Sequence, residues 1–127
     1  MNDSSEDAAS KRVLVIEDTL SVAELIHEML TGLGHRTELC TTVEDALAKF
    51  APQKFDLVVT DYTMPRMNGI ELAHIMRKLA PSQTILLITG STFSMMDEDL
   101  RKYPVNAFLE KPFSIAEFRD SVLKLLG

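Results

Sequence analysis

The stretch Phe55-Asp56-Leu57-Val58-Val59-Thr60 is a short run dominated by Leu, Val and Thr that stops at the carboxylate of Asp61. Four other runs share its character: Val13 to Ile16, Thr37 to Cys40, Thr84 to Thr89 and Val105 to Leu109. Three of the five are almost continuously apolar, the pattern of strands buried on both faces rather than on one. A sheet of that kind has to be covered on both sides, so the intervening segments are expected to be helices.

Those segments carry helical spacing. Val22, Leu25, Ile26, Met29, Leu30 and Leu33 recur at i, i+3, i+4, i+7, i+8 and i+11, behind Ser21-Val22-Ala23-Glu24, which reads as a capping box. Gly32 and Gly34 are expected to stop that helix. Val43, Ala46, Leu47 and Phe50 form a second stripe, opened by Thr42 and closed before Pro52. Leu72, Ile75, Met76 and Leu79 form a third, ended by Pro81. A fourth, around Ser94 to Lys102, is the weakest, with Met96 and Leu100 as its apolar pair. Ser114-Ile115-Ala116-Glu117 is a further capping box, leading a stripe of Ile115, Phe118, Val122 and Leu125. Five strand–helix pairs in succession predict a parallel sheet in a three-layer α/β/α sandwich, joined by right-handed crossovers.

Composition agrees with one such domain. The chain has 127 residues, 46% of them apolar and 25% charged, and domains run to roughly 100–200 residues. Thirteen Lys and Arg against nineteen Asp and Glu give a net charge of -6, which argues against nucleic acid as the main partner. The single cysteine, Cys40, excludes an internal disulfide and suits a reducing cytoplasm. No apolar run approaches ~18 residues, so no membrane span is expected. Residues 1–10 are small or polar, contain Asp3, Glu6 and Asp7 but no base, and do not resemble a signal peptide. They are expected to form a flexible tail before a domain over residues 11–127.

In open parallel sheets, ligands bind outside the carboxyl ends of the strands, at a switch in strand order. Here those ends are Glu17-Asp18, Asp61, Thr89-Gly90 and Lys111-Pro112. Three carboxylates gathered at one sheet edge repel one another unless a cation sits among them. Hard oxygen ligands, few in number and leaving room for water, suit Mg²⁺. With a divalent ion and a lysine to neutralise phosphate charge, a carboxylate nucleophile points to phosphoryl transfer.

Taken with Val13-Leu14-Val15-Ile16-Glu17-Asp18, Asp61-Tyr62-Thr63-Met64-Pro65-Arg66-Met67-Asn68-Gly69, Thr89-Gly90 and Lys111-Pro112-Phe113, the chain resembles the receiver domain of bacterial two-component response regulators over residues 11–127. The resemblance implies a flavodoxin-like (βα)5 fold with sheet order 2-1-3-4-5. It implies a regulatory phosphoacceptor rather than a metabolic enzyme, with Asp61 accepting the phosphoryl group. Asp18 and Asp61 would ligate Mg²⁺ (Mn²⁺ being able to substitute), joined by the Thr63 backbone carbonyl and by Glu17 through water. Thr89 would bond a phosphoryl oxygen, Lys111 would pair with Asp61 or its phosphate, and the Lys111–Pro112 bond would be cis. Thr89 and Phe108 would form the switch. The implied donor is a histidine kinase or histidine phosphotransfer protein in the cytoplasm, and the downstream target or output domain stays open.

Glu17 stands where the family more often has Asp, and Phe108 where it commonly has Tyr, so any switching by Phe108 works through packing alone. Two other classes use related parts. A haloacid-dehalogenase-like phosphohydrolase also forms an aspartyl phosphate, but its general acid two residues after the nucleophile is here Thr63. A flavodoxin-like FMN module cradles phosphate on its first loop, where Glu17-Asp18 would repel it, and Tyr62 and Tyr103 are the only tyrosines able to stack on a flavin. His27, His35 and His74 lack ligand spacing and are expected at the surface. The methionines mostly fall on apolar stripes as core filler. Cys40 reads as inert packing, and Glu98-Asp99 with Arg101-Lys102 as a solvated helix face.

Overall fold

The computed structural model describes residues 10–90 and 103–127. The residue 1–9 part of the tail and the stripe around Ser94 to Lys102, with Met96, Leu100, Glu98-Asp99 and Arg101-Lys102, lie outside the described residues. Five strands, β1 (Arg12–Ile16), β2 (Arg36–Cys40), β3 (Leu57–Asp61), β4 (Ile85–Thr89) and β5 (Ala107–Glu110), form one parallel sheet in the order β2-β1-β3-β4-β5. Four helices are described: α1 (Leu20–Gly32), α2 (Val43–Lys49), α3 (Gly69–Leu79) and α4 (Ile115–Leu126). No described helix is long and apolar enough to cross a membrane.

The period of two along each strand splits the core. Leu14, Ile16, Val58, Ile85 and Leu87 point to one face and pack with Ala46, Leu72 and Met76 of α2 and α3. Val13, Val15, Leu57, Val59, Leu86 and Ile88 point to the other and pack with Ile26, Leu30, Phe118 and Val122 of α1 and α4. Every residue of β3 and β4 is buried, whereas β2 and β5 at the edges are only partly so. That is why the central runs are continuously apolar and the outer ones are not.

Thr42 accepts from the Asp45 N–H at the start of α2, and Ser114 with Glu117 completes a reciprocal box at the start of α4. The end of α1 is a Schellman turn: His35 N–H bonds to Leu30 O, Gly34 N–H to Thr31 O, and Gly34 takes φ of +93°. The start of α1 differs from expectation. Ser21 lies inside the helix, the cap residue is Thr19, and the Val22 and Ala23 amides bond to the Thr19 carbonyl, so Ser21 and Glu24 form no box. β5 begins two residues later than the apolar run, because the Asn106 side chain accepts from Ile85 N–H while its own N–H bonds to Ile85 O. Among the described residues, three of the stripe fail to bury: Leu25, Leu79 and Ile115 are more than half exposed.

His74 is exposed, but His27 and His35 are not simple surface residues. His27 bonds to Thr37 of β2, and His35 Nδ1 accepts from the Lys11 N–H at 3.1 Å. In both cases a side chain closes polar groups at the sheet edge, something ligand spacing does not report. Cys40 is buried, and burial, with Asp45 nearby, pushes its thiol pKa up to about 12.

Candidate functional site

The site forms at the ends of the neighbouring strands β1 and β3, where the chain leaves β1 for α1 on one face and β3 for α3 on the other. Asp61 is the last residue of β3, and its neighbour Tyr62 still bonds to Ile88 O of β4. Glu17 follows β1, with its N–H held by Cys40 O of β2, and Lys111 follows β5, with its N–H held by Thr89 O of β4. Each backbone is thus pinned by the last hydrogen bond of a ladder, and the side chains beyond project over one edge.

There the Lys111 ammonium lies 3.1 Å from Asp61 Oδ1 and 3.2 Å from Glu17 Oε1. The Glu17 and Asp61 side chains are almost fully covered, at 2% and 8% exposure, while Lys111 keeps a third of its surface. Asp18 is exposed, and one oxygen from each of Glu17, Asp18 and Asp61 falls within 4.8 Å of the others. Among the described residues, three carboxylates therefore face one ammonium. Burial raises the pKa of Glu17 above the ordinary carboxylate value, with Asp61 adding to the rise against the Thr19 bond and Lys111. Burial likewise raises Asp61, with Asp18 adding to it and Lys111 opposing. For Lys111 partial burial works against the charge, but Asp61 and Glu17 outweigh it and its pKa rises. The cluster is under-neutralised and oxygen-rich, which is the donor chemistry a small divalent cation requires.

Thr89 is fully buried at the end of β4, beside Glu110 in register. Thr63 lies exposed in the loop after β3. The Lys111–Pro112 peptide is cis. Phe108 sits half-buried on β5, with its ring edge-on to Tyr103 at 5.8 Å.

Two features of the site went unread in the sequence. Gly69 opens α3 directly behind Asp61: its N–H bonds to Tyr62 O at 2.8 Å, and a Cβ there would lie 2.4 Å from the Asp61 carbonyl oxygen. The signal was the Asn68-Gly69-Ile70-Glu71 pattern, whose Asn68 and Glu71 form a full capping box that fixes where the helix begins. The second is the Thr19 N–H, which donates to Glu17 Oε2 at 3.1 Å. No sequence pattern marks that bond.

The family model of the response regulator receiver domain matches residues 13–123. A response regulator receiver protein of Anaeromyxobacter sp. (strain Fw109-5) is 30% identical over 110 residues, covering 87% of this chain but only 46% of that protein. The chain thus spans less than half the length of that relative. Among solved structures, the non-phosphorylated HemR receiver domain of Leptospira biflexa superposes with a TM-score of 0.85 at 27% identity, covering 92% of this chain and 94% of that one. The response regulator protein TrrA of Thermotoga maritima, solved in complex with Mg²⁺–BeF, gives a TM-score of 0.80 at 34% identity, covering 91% and 99%.

Proposed function

Since the chain belongs to the response regulator receiver domain family, we propose that it is the phosphoacceptor of a cytoplasmic two-component phosphorelay and that Asp61 carries the phosphoryl group. The observation that supports this most directly is the Lys111 ammonium 3.1 Å from a buried Asp61 within a group of three carboxylates. A histidine kinase or histidine phosphotransfer protein presents phosphohistidine. Asp61 attacks phosphorus, the P–N bond breaks as the P–O bond forms, and the donor ring, carrying a proton on its other nitrogen, leaves as neutral imidazole.

Lys111 pairs with the phosphoryl oxygens, and the Thr89 hydroxyl donates to one of them. Asp18 and Asp61 and the Thr63 carbonyl, with Glu17 through water, would hold Mg²⁺ or Mn²⁺; when bound, the ion neutralises charge developing on the phosphoryl oxygens. The Mg²⁺–BeF complex of TrrA supports the same chemistry here. When Thr89 is drawn toward the phosphate, the space it leaves is available to the Phe108 ring, and burying an aromatic contributes ~2 kcal/mol. That bias shifts a two-state equilibrium more than tenfold.

Incubation with acetyl phosphate and Mg²⁺ is expected to add one acid-stable, base-labile phosphoryl group, read by intact mass. Asp61→Asn and removal of Mg²⁺ by chelation should each abolish it. Equal labelling of Asp61→Asn at another residue sinks the assignment, and steady turnover of a phosphate ester would favour a phosphohydrolase instead.

A further inference from the structure

We propose that Glu17 is a positioning residue that ties occupancy of the acidic site to the first turn of α1. The proposal rests on the reading of Glu17, Asp18 and Asp61 as the phosphoryl and Mg²⁺ site, and it concerns how that site is sensed. Both oxygens of Glu17 are engaged, each by a different element: Oε1 accepts from Lys111 Nζ at 3.2 Å, and Oε2 accepts from Thr19 N–H at 3.1 Å. The side chain is almost fully buried, so the carboxylate itself draws its partners mainly from the protein.

Thr19 is the cap residue of α1, and its own side chain makes no capping bond. The other three described helices begin on a side chain that accepts from the third helical amide, as Thr42, Asn68 and Ser114 do. α1 is held instead by a carboxylate two residues upstream, whose charge favours the positive end of the helix.

Each oxygen of the Glu17 carboxylate already accepts one hydrogen bond. A divalent ion at the acidic site, or a water that it holds, draws on the same carboxylate charge that Lys111 and the Thr19 amide use. Filling the site therefore weakens the Thr19 bond and loosens the start of α1, where Leu20 is exposed by 57% and Leu25 by 52%. Occupancy becomes legible on the α1 surface as well as around Phe108.

The test is amide hydrogen exchange of Thr19 in the full chain, followed by NMR without and with saturating Mg²⁺, then with Mg²⁺ and beryllofluoride. Wild-type exchange at Thr19 is expected to rise about tenfold on filling, the loss of one hydrogen bond to a charged group. Glu17→Gln keeps a carbonyl acceptor but no charge, and its Thr19 rate should not respond. Glu17→Ala, which removes the acceptor, should exchange fast from the outset. The coupling is overturned if wild-type Thr19 is unresponsive while Asp18 and Asp61 amides report Mg²⁺, or if Glu17→Gln responds as wild type does. Acetyl phosphate labelling of wild-type Asp61 separates the two ideas: label with an unresponsive Thr19 removes only the coupling, and no label removes the reading beneath it.

Discussion

Replacing Gly69 by alanine adds one methyl group at the most crowded backbone position behind the candidate phosphoacceptor. The added Cβ would lie 2.4 Å from the Asp61 carbonyl oxygen, 2.7 Å from Leu87 Cδ1 and 3.1 Å from the Asp61 carbonyl carbon, where ordinary contacts begin at 3.4 Å. Gly69 does not have a positive φ, so the demand is for space and not for conformation. Leu87 can rotate, but the Asp61 carbonyl cannot move alone: it accepts from Thr60 Oγ1 at 3.1 Å, and Tyr62 beyond it is bonded to Ile88 O. Overpacking of this kind costs about 1–3 kcal/mol, and a backbone obstacle puts the cost at the upper end. For a domain of this size that is a fall of about 10 °C in melting temperature. Because the displaced residue bears the nucleophile, a shift near 1 Å should slow phosphorylation about 100-fold. Circular dichroism melts and timed acetyl phosphate labelling read the two effects. Gly32→Ala is the contrast, since nothing lies within 4 Å of its added Cβ, and it should stabilise by about 0.5–1 kcal/mol. If Gly69→Ala melts and labels as the parent does, the close approach of α3 to Asp61 is not real.

Three further outcomes are expected. Burial, then Lys11, lowers the His35 pKa against the opposing pull of Asp56, and the ring nitrogen that would take a proton accepts from Lys11 N–H. The unfolded chain therefore binds the proton first, so this contribution to stability holds above about pH 6.5 and declines as pH falls below it; His35→Gln should reduce the slope in urea midpoints across that range, and an unchanged slope would place the linkage elsewhere. Cys40, with its thiol pushed up to about 12 by burial, should resist iodoacetamide in the native state at about pH 8 and react once unfolded in urea; native alkylation at the unfolded rate would contradict its burial. Asn68→Ala should lose about 1 kcal/mol through the α3 cap while Asn68→Asp retains it, a difference read as a shift in urea midpoint at constant slope; equal midpoints would mean the box contributes nothing.

Much of the architecture was written in short-range pattern. The continuous runs at residues 13–16, 55–60 and 84–89 declared strands covered on both faces, because only a sandwiched strand has no polar side. The caps at Thr42 and Ser114 needed no more than a hydroxyl three residues ahead of an amide. The strand ends named Glu17, Asp18, Asp61, Thr89 and Lys111 as neighbours, since parallel strands must all finish on the same edge. Long-range contact decided the rest. Lys111 meets Glu17 across 94 positions of chain, and which of three carboxylates it pairs with depends on sheet register, which no local pattern encodes. The start of α1 lies at Thr19 and not at Ser21, and there the Thr19 N–H meets a carboxylate at the sheet edge, a contact set by the end of β1 and not by a capping pattern. Leu25, Leu79 and Ile115 obey the helical period yet stay exposed, because periodicity selects a face of a helix while only the neighbouring elements determine how much of that face is covered.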